Sequence, residues 1–345
     1  MSLEKYIDLR SDTVTQPSQL MRNQIVNSVL GDDVFAEDPT VNALEKQAAQ
    51  ILGKEKALLV PSGTMGNLIA ILVHCPRGTE VILGNCSHTF IYEAGGISAF
   101  GGIHSHQLQN QEDGTINIDD IEIAIRQDNI HFPRTSLISL ENTQNMCFGA
   151  PINSLYMLDV FTLAKKNNLK IHTDGARIFN AAVALNSDIK ELVQYTDSIT
   201  FCLSKGLSAP IGSMLCGTEE FIHEARRMRK ALGGGMRQAG IIAASGQIAL
   251  HESIKQLKID HDNAQYLAQE INKIDYLNIE INRIKTNILY FTINHDSING
   301  TDFVNMMYDK GIKFFEVSKN KFRLVTHSGI SYDDAQYVIK MFQKI

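Results

Sequence analysis

A chain of 345 residues has room for one large globular domain and a smaller companion. Its 44% hydrophobic and 20% charged content excludes extended disorder, and a net charge of -6 excludes any general electrostatic pull toward nucleic acid or an anionic membrane surface. Partners are therefore expected to be small molecules or further copies of the same chain. The first residues lack an apolar signal region and no apolar run approaches a membrane span, so a cytoplasmic protein is the default expectation. Five cysteines, Cys75, Cys86, Cys147, Cys202 and Cys216, are an odd number without a C-x-x-C, which points away from a disulfide framework and a zinc knuckle alike.

In chain order, residues 9–15 form a polar, extended arm in which Arg10 and Ser11 either reach a ligand or simply lead into a helix at 18–29 capped by Ser18. An acidic loop follows over 31–39, then a helix over 40–52 stopped by Gly53. Residues 57–60 read as a buried strand, 61–67 as a turn containing Gly63 and Thr64, and 68–75 as an apolar helix. A strand, a glycine-bearing turn and a helix aim backbone N–H groups at an anion. Ser62 and Thr64 add hydroxyls, so a phosphate monoester is the ligand such a turn suits, if it is more than a turn.

The strand at 80–83 ends near His88, which is either a polar loop histidine or a flat ring lying on an aromatic cofactor. Cys86, His88, His104 and His106 are spaced in pairs two apart, as strand alternation or loop polarity would space them, and no metal site is expected. A further strand spans 104–109, a helix 118–126, a strand 136–140, and a helix begins after Pro151 and Ile152 and runs to about 168. The strand at 169–173 ends on Asp174, with Arg177 just beyond; capping explains the acid, and so does a partner for a pyridinium nitrogen.

Ile199, Phe201 and Leu203 alternate with polar residues and run into Ser204-Lys205-Gly206. Lys205 is a solvated strand-end lysine or, if desolvated, a Schiff-base amine. Residues 210–216 read as a strand and 218–232 as a helix whose basic run, Arg226 to Lys230, is expected to face solvent. Gly233 to Gly235 suit a close backbone approach, including one to a second subunit. The chain divides at about 250: residues 1–250 hold the arm and a large domain, and 251–345 a small α+β domain. In the latter, Arg323 is a carboxylate clamp or an edge-strand arginine paired to an acid.

In this order the parts are those needed to hold pyridoxal phosphate (PLP): Lys205 for its aldehyde, Asp174 for its ring nitrogen, His88 for its face and Gly63 with Thr64 for its phosphate. The sequence also resembles, over nearly its whole length, the PLP-dependent L-threonine aldolases of the aspartate-aminotransferase fold, within the β-eliminating lyase group. The resemblance rests on Asp8 to Thr15, Gly31 to Val34 with Glu37 to Pro39, Pro61 to Asn67, Ser87-His88, His131 to Thr135, Glu141 to Thr143, Asp174 to Arg177, Leu203 to Gly206, Gly233 to Gln238 and Arg323 to His327.

It implies an α/β PLP fold of type I, with a mostly parallel seven-stranded sheet, and a homodimer or homotetramer with active sites at subunit interfaces. It implies cleavage of L-threonine, L-allo-threonine or both to glycine and acetaldehyde, with Lys205, His88 and His131 catalytic. Ser11, Arg177 and Arg323 would hold the substrate carboxylate. Arg177, and Arg237 from a neighbouring subunit, would join the cofactor site. Phe35 and Gln144 stand where that family often has Tyr and His. β-Elimination or transamination on the same scaffold, and a non-catalytic binding protein, are the competing readings.

Overall fold

Short apolar runs separated by helical segments fold as parallel strands, because each crossover returns the chain to the same sheet edge. The computed structural model describes residues 6–345. Its strands are β1 (Ile7–Asp8), β2 (Lys56–Val60), β3 (Glu80–Gly84), β4 (His104–Leu108), β5 (Thr135–Glu141), β6 (Lys170–Asp174), β7 (Ser198–Cys202), β8 (Ser213–Gly217), β9 (Leu277–Ile279), β10 (Ile288–Ile293), β11 (Ile312–Lys313), β12 (Phe315–Ser318) and β13 (Lys321–Val325). The large sheet has seven strands in the order β2-β8-β7-β6-β5-β3-β4. Only β8 runs antiparallel to its neighbours, β2 and β7. Strands β3, β7 and β8 are buried along their full length, as a sheet covered on both faces by helices requires.

The topology gathers the carboxyl ends of β3, β5, β6 and β7 at one edge, where ligands of open α/β sheets bind. Register places Glu141 beside Asp174, and Asp174 beside Thr200. The fold is thus the expected α/β type with a mostly parallel seven-stranded sheet, joined by a smaller antiparallel sheet, β12-β13-β10-β9. The smaller sheet packs on an aromatic core of Phe291, Phe303, Phe314, Phe322 and Phe342. Leu9 of the N-terminal arm is fully buried in that same core, and β1 pairs in parallel with β11 through Ile7–Ile312 and Asp8–Lys313.

Several boundaries differ from the periodicity for local reasons. The first long helix, Gln19–Val26, is capped by Ser18 as expected but stops before residue 29. There Asn27 Nδ2 and Ser28 Oγ donate to the carbonyls of Asn23 and Ile25 and end the ladder. The helix expected at 68–75 is Gly63–His74: Ser62 Oγ accepts from Met65 N and starts it five residues earlier, so Gly63 and Thr64 form its first turn. The basic run on Glu219–Ala231 is not wholly solvated. Arg229 is 2% exposed, donating to Asp33 Oδ2 at 2.6 Å and to Leu59 O at 2.6 Å, while Arg226 donates to Glu45. These contacts pin the acidic loop to the large sheet. Of the three glycines, Gly234 makes its close approach within the chain, since a Cβ there would lie 2.4 Å from Met65 Sδ.

Candidate active site

Lys205 leaves the end of β7 in a turn closed by Ser208 N donating to Lys205 O at 2.8 Å, and Thr15 Oγ1 of the arm donates to the same carbonyl. The side chain borders two cavities. One, of about 270 Å³, is lined by Gly63, Thr64, His88, Asp174 and Lys205. The other, of about 440 Å³, is lined by Ser11, His88, Tyr92, Arg177, Lys205 and Arg323. His88 and Lys205 are common to both, so they stand between a cofactor-sized chamber and a larger entrance.

In the inner cavity the free N–H groups of the Gly63–His74 helix face in at Gly63 and Thr64. A Cβ on Gly63 would come within 2.9 Å of Cys202 Sγ, so the wall is shaped for a residue without a side chain. Asp174 is buried and does not cap the following helix, whose N-cap is Arg177; its Oδ1 accepts from Ala176 N at 3.0 Å and its Oδ2 from Asn67 Nδ2 at 2.8 Å. An anion cradle, a buried carboxylate, a lysine and an imidazole around one cavity fit PLP: Gly63 and Thr64 at the phosphate, Asp174 at the ring nitrogen, Lys205 at the aldehyde and His88 on the ring face.

His88 begins a short helix, His88–Ile91, just past β3. Its Nδ1 lies 2.9 Å from Glu93 Oε1, which leaves Nε2 for a ligand. Burial opposes charge on the ring, but the bond to Glu93 and the charges of Asp174 and Glu93 outweigh it and lift His88 above the usual histidine value. Glu141, at the end of β5, accepts from His88 N and Asn145 N, and burial with the neighbouring Asp174 pushes it up to about 7.

The outer cavity carries the arginines. Arg177 donates from Nε and Nη2 to the two oxygens of Asp12, each at 2.7 Å, and both residues are buried. Burial works against ionisation of Asp12, but Arg177 and then Lys205 hold it down to about 2. Arg177 is therefore largely committed within the chain and borders only the outer cavity, whereas the resemblance puts it on both cofactor and substrate. Arg323 bonds only neutral partners, Asn145 Oδ1 and Arg10 O, both at 3.1 Å. Among the described residues it has no acidic hydrogen-bond partner, and its charge is available to a substrate carboxylate beside Ser11.

Two expected residues do not line these cavities. His131 lies in an exposed turn where its N–H donates to Asn129 Oδ1, and Arg237 is exposed, bonded to Asp32 at 3.0 Å and over the ring of Phe35. Phe35 is 67% exposed, and Gln144 is buried, bonding Cys86 O and Cys147 N. His104 and His106 both hold the buried Glu80 at the sheet edge. His88, Glu93 and Asp174 do bring ligand atoms within 4.8 Å of one another, and Asn67 donates to both carboxylates from between them.

Sequence reasoning missed Asn67, Glu93, Glu141, His172 and Tyr92. One signal was available for His172: it sits two residues before Asp174 on β6, hence on the same strand face.

The β-eliminating lyase family profile matches residues 8–294. The chain is 48% identical to a protein named probable low-specificity L-threonine aldolase 2 from Arabidopsis thaliana, over 98% of this chain and 97% of that one. It is 43% identical to the low specificity L-threonine aldolase of Escherichia coli O157:H7, over 94% of this chain and 95% of that one. Among solved structures, the Leishmania major threonine aldolase shares the fold with a TM-score of 0.82 at 16% identity, covering 98% of this chain and 99% of that one. With the cavity chemistry and these relatives in agreement, the chain belongs to the β-eliminating lyase family, in the company of the low-specificity L-threonine aldolases.

Proposed function

We propose that the protein is a PLP-dependent aldehyde-lyase that cleaves L-threonine, L-allo-threonine or both to glycine and acetaldehyde by retro-aldol scission of the Cα–Cβ bond. The observation that carries this reading is the shared border of the two cavities: Lys205 and His88 face both the cofactor-shaped chamber and the arginine-bearing entrance. When bound, PLP supplies an electron-accepting ring.

The chain's own residues do the rest. Arg323 and Ser11 would take the substrate carboxylate and so fix the orientation of the amino acid at its Cα. Nε2 of His88 removes the β-hydroxyl proton while Glu93 holds Nδ1 and stabilises the imidazolium that results. Asp174 would hold the ring nitrogen through its carboxylate. His131 stands outside this scheme, since its turn borders neither cavity.

The finer parts of the proposal are a cytoplasmic homodimer or homotetramer, acting in threonine breakdown and glycine supply, with Arg237 serving a neighbouring subunit. Exposed Leu20, Val26, Val29, Leu30, Phe35 and Ile241 support an apolar interface, and Arg237, exposed and paired with Asp32 beside Phe35, lies on the same face. No helix among the described residues is long and apolar enough to cross a membrane.

The test is acetaldehyde release from L-threonine and from L-allo-threonine by PLP-saturated protein, with glycine and 2-oxobutyrate measured alongside and pyruvate measured with L-serine in parallel. Acetaldehyde with equal glycine is expected. Pyruvate and ammonia from serine, without acetaldehyde, would move the protein to β-elimination.

A further inference from the structure

From Asn67 and Glu93, which line the inner cavity beside Asp174, a chain of side-chain hydrogen bonds runs back into the large domain. His74 Nε2 lies 2.8 Å from Ser198 Oγ, and His172 Nδ1 lies 2.9 Å from the same oxygen. His172 Nε2 then lies 3.1 Å from Asn67 Oδ1, and Asn67 Nδ2 donates to Asp174 Oδ2 at 2.8 Å and to Glu93 Oε1 at 2.9 Å. Ser198 and His172 are fully buried and Asn67 is 1% exposed.

Each link dictates the next. Two carboxylates accept only from N–H, so the Asn67 amide must turn its nitrogen to them and its oxygen to His172. His172 must then carry its proton on Nε2. Its Nδ1 accepts the single proton of Ser198, and Ser198 accepts from His74 Nε2–H. Burial keeps both rings neutral, holding His172 down to about 3 and His74 to about 4, so each has one N–H to give. Every donor in the series points toward Asp174 and Glu93. The chain therefore joins the partner of the ring nitrogen to the partner of His88.

We infer that Asn67 and His172 are positioning residues for Asp174: His172 locks the Asn67 amide so that both its hydrogens face Asp174 and Glu93, leaving Asp174 to meet the cofactor's ring nitrogen as an anion. The inference rests on the proposal that PLP lies against Asp174. Without His172, the Asn67 oxygen loses its donor and the amide is free to rotate. A carbonyl dipole turned on two carboxylates disfavours their charge.

The experiment uses PLP labelled with 15N in the ring, bound to the full-length protein and observed by NMR, with cofactor dissociation constants measured in parallel. Wild type is expected to show the shift of a protonated ring nitrogen. His172→Phe and Asn67→Leu are each expected to move it toward the unprotonated value and to weaken cofactor binding about tenfold. His172→Gln, whose amide N–H can still reach Asn67 Oδ1, is expected to restore the wild-type shift. That rescue separates a donor role from mere space-filling.

Asp174→Ala serves as the reference. If it leaves the 15N shift unchanged, the placement of PLP on Asp174 is wrong. If it moves the shift while His172→Phe and Asn67→Leu keep the wild-type value, the positioning role is overturned and the placement stands. Where His172→Phe does not fold, Asn67→Leu breaks the chain at the next link and decides the same question.

Discussion

His88 shows how single contacts set the chemistry of one atom. Its ring is lifted above the ordinary histidine value by Glu93 and Asp174 against the opposing effect of burial. A raised value means that His88 keeps its proton to higher pH and serves as a base only above it. Glu93→Gln removes the charge of Glu93, so the acid limb of the pH profile of kcat/KM is expected to move to lower pH. The rate at alkaline pH is expected to fall as well, since the imidazolium formed in the reaction loses its carboxylate. Lys205, Asp174, His88 and Arg323 were legible in the sequence because each ends or interrupts an apolar run. Glu93 and Asn67 were not, because what gives them meaning is a contact across 26 residues with each other and, for Asn67, across 107 with Asp174.

At the scale of single elements, the start of the Gly63–His74 helix and the first turn of Leu257–Ile271 make opposite points. The first places Gly63, proposed for the phosphate, in the opening turn, where periodicity put only a loop. Apolar spacing begins at Leu68, and the true start is set by the hydroxyl of Ser62, which hydropathy does not see. Gly63→Ala forces a Cβ to within 2.9 Å of Cys202 Sγ. It is expected to weaken PLP affinity about tenfold, equivalent to about 1.4 kcal/mol, as read by cofactor titration.

In the second helix, Asp260 is fully buried, its Oδ2 has no hydrogen-bond partner, and burial pushes it from 3.8 up to about 7. The unfolded chain releases that proton first, so this group lowers stability progressively as pH rises from 3.8 to about 7. The loss amounts to up to about 4 kcal/mol. Asp260→Asn is expected to flatten the decline in Tm between pH 5 and pH 8, measured by thermal unfolding at fixed ionic strength.

On the whole molecule, the N-terminal arm ties the parts together. β1 is paired to β11 in a two-stranded sheet, Leu9 is buried in the core of the small domain, and three and four residues later Asp12 and Thr13 are at the large domain beside Arg177 and Lys205. Asp12→Asn leaves the Arg177 guanidinium buried without its counter-ion. It is expected to cost about 3–5 kcal/mol in urea denaturation.

The alternating strand and helix pattern located the strands of the large sheet, and the resemblance supplied their mostly parallel seven-stranded arrangement. The pairing of β1 was not, because a two-residue strand has no period and its partner lies near the other end of the chain. Nor did the sequence alone separate Arg229, which holds the acidic loop from within, from its solvated neighbours. If Arg237 serves an adjacent subunit, mixing Lys205→Ala with Arg237→Ala protein through unfolding and refolding is expected to restore activity that neither has alone. Hybrids then contain one complete site. Persistent inactivity of the mixture would place Arg237 outside the chemistry.

The path of the arm also orders events during synthesis. Residues 61–205 hold the groups assigned to the cofactor and emerge from the ribosome together. Asp12 emerges before them and meets Arg177 within that span, but β1 and Leu9, just ahead of Ser11, cannot be anchored until β11 and β13, near the other end, have been made. A nascent chain released before that point would have its cofactor groups in place while the carboxylate clamp of Ser11 and Arg323 was still apart. Closure of the Ser11–Arg323 clamp thus waits on the last strands of the chain, after every residue from 61 to 205 has been made.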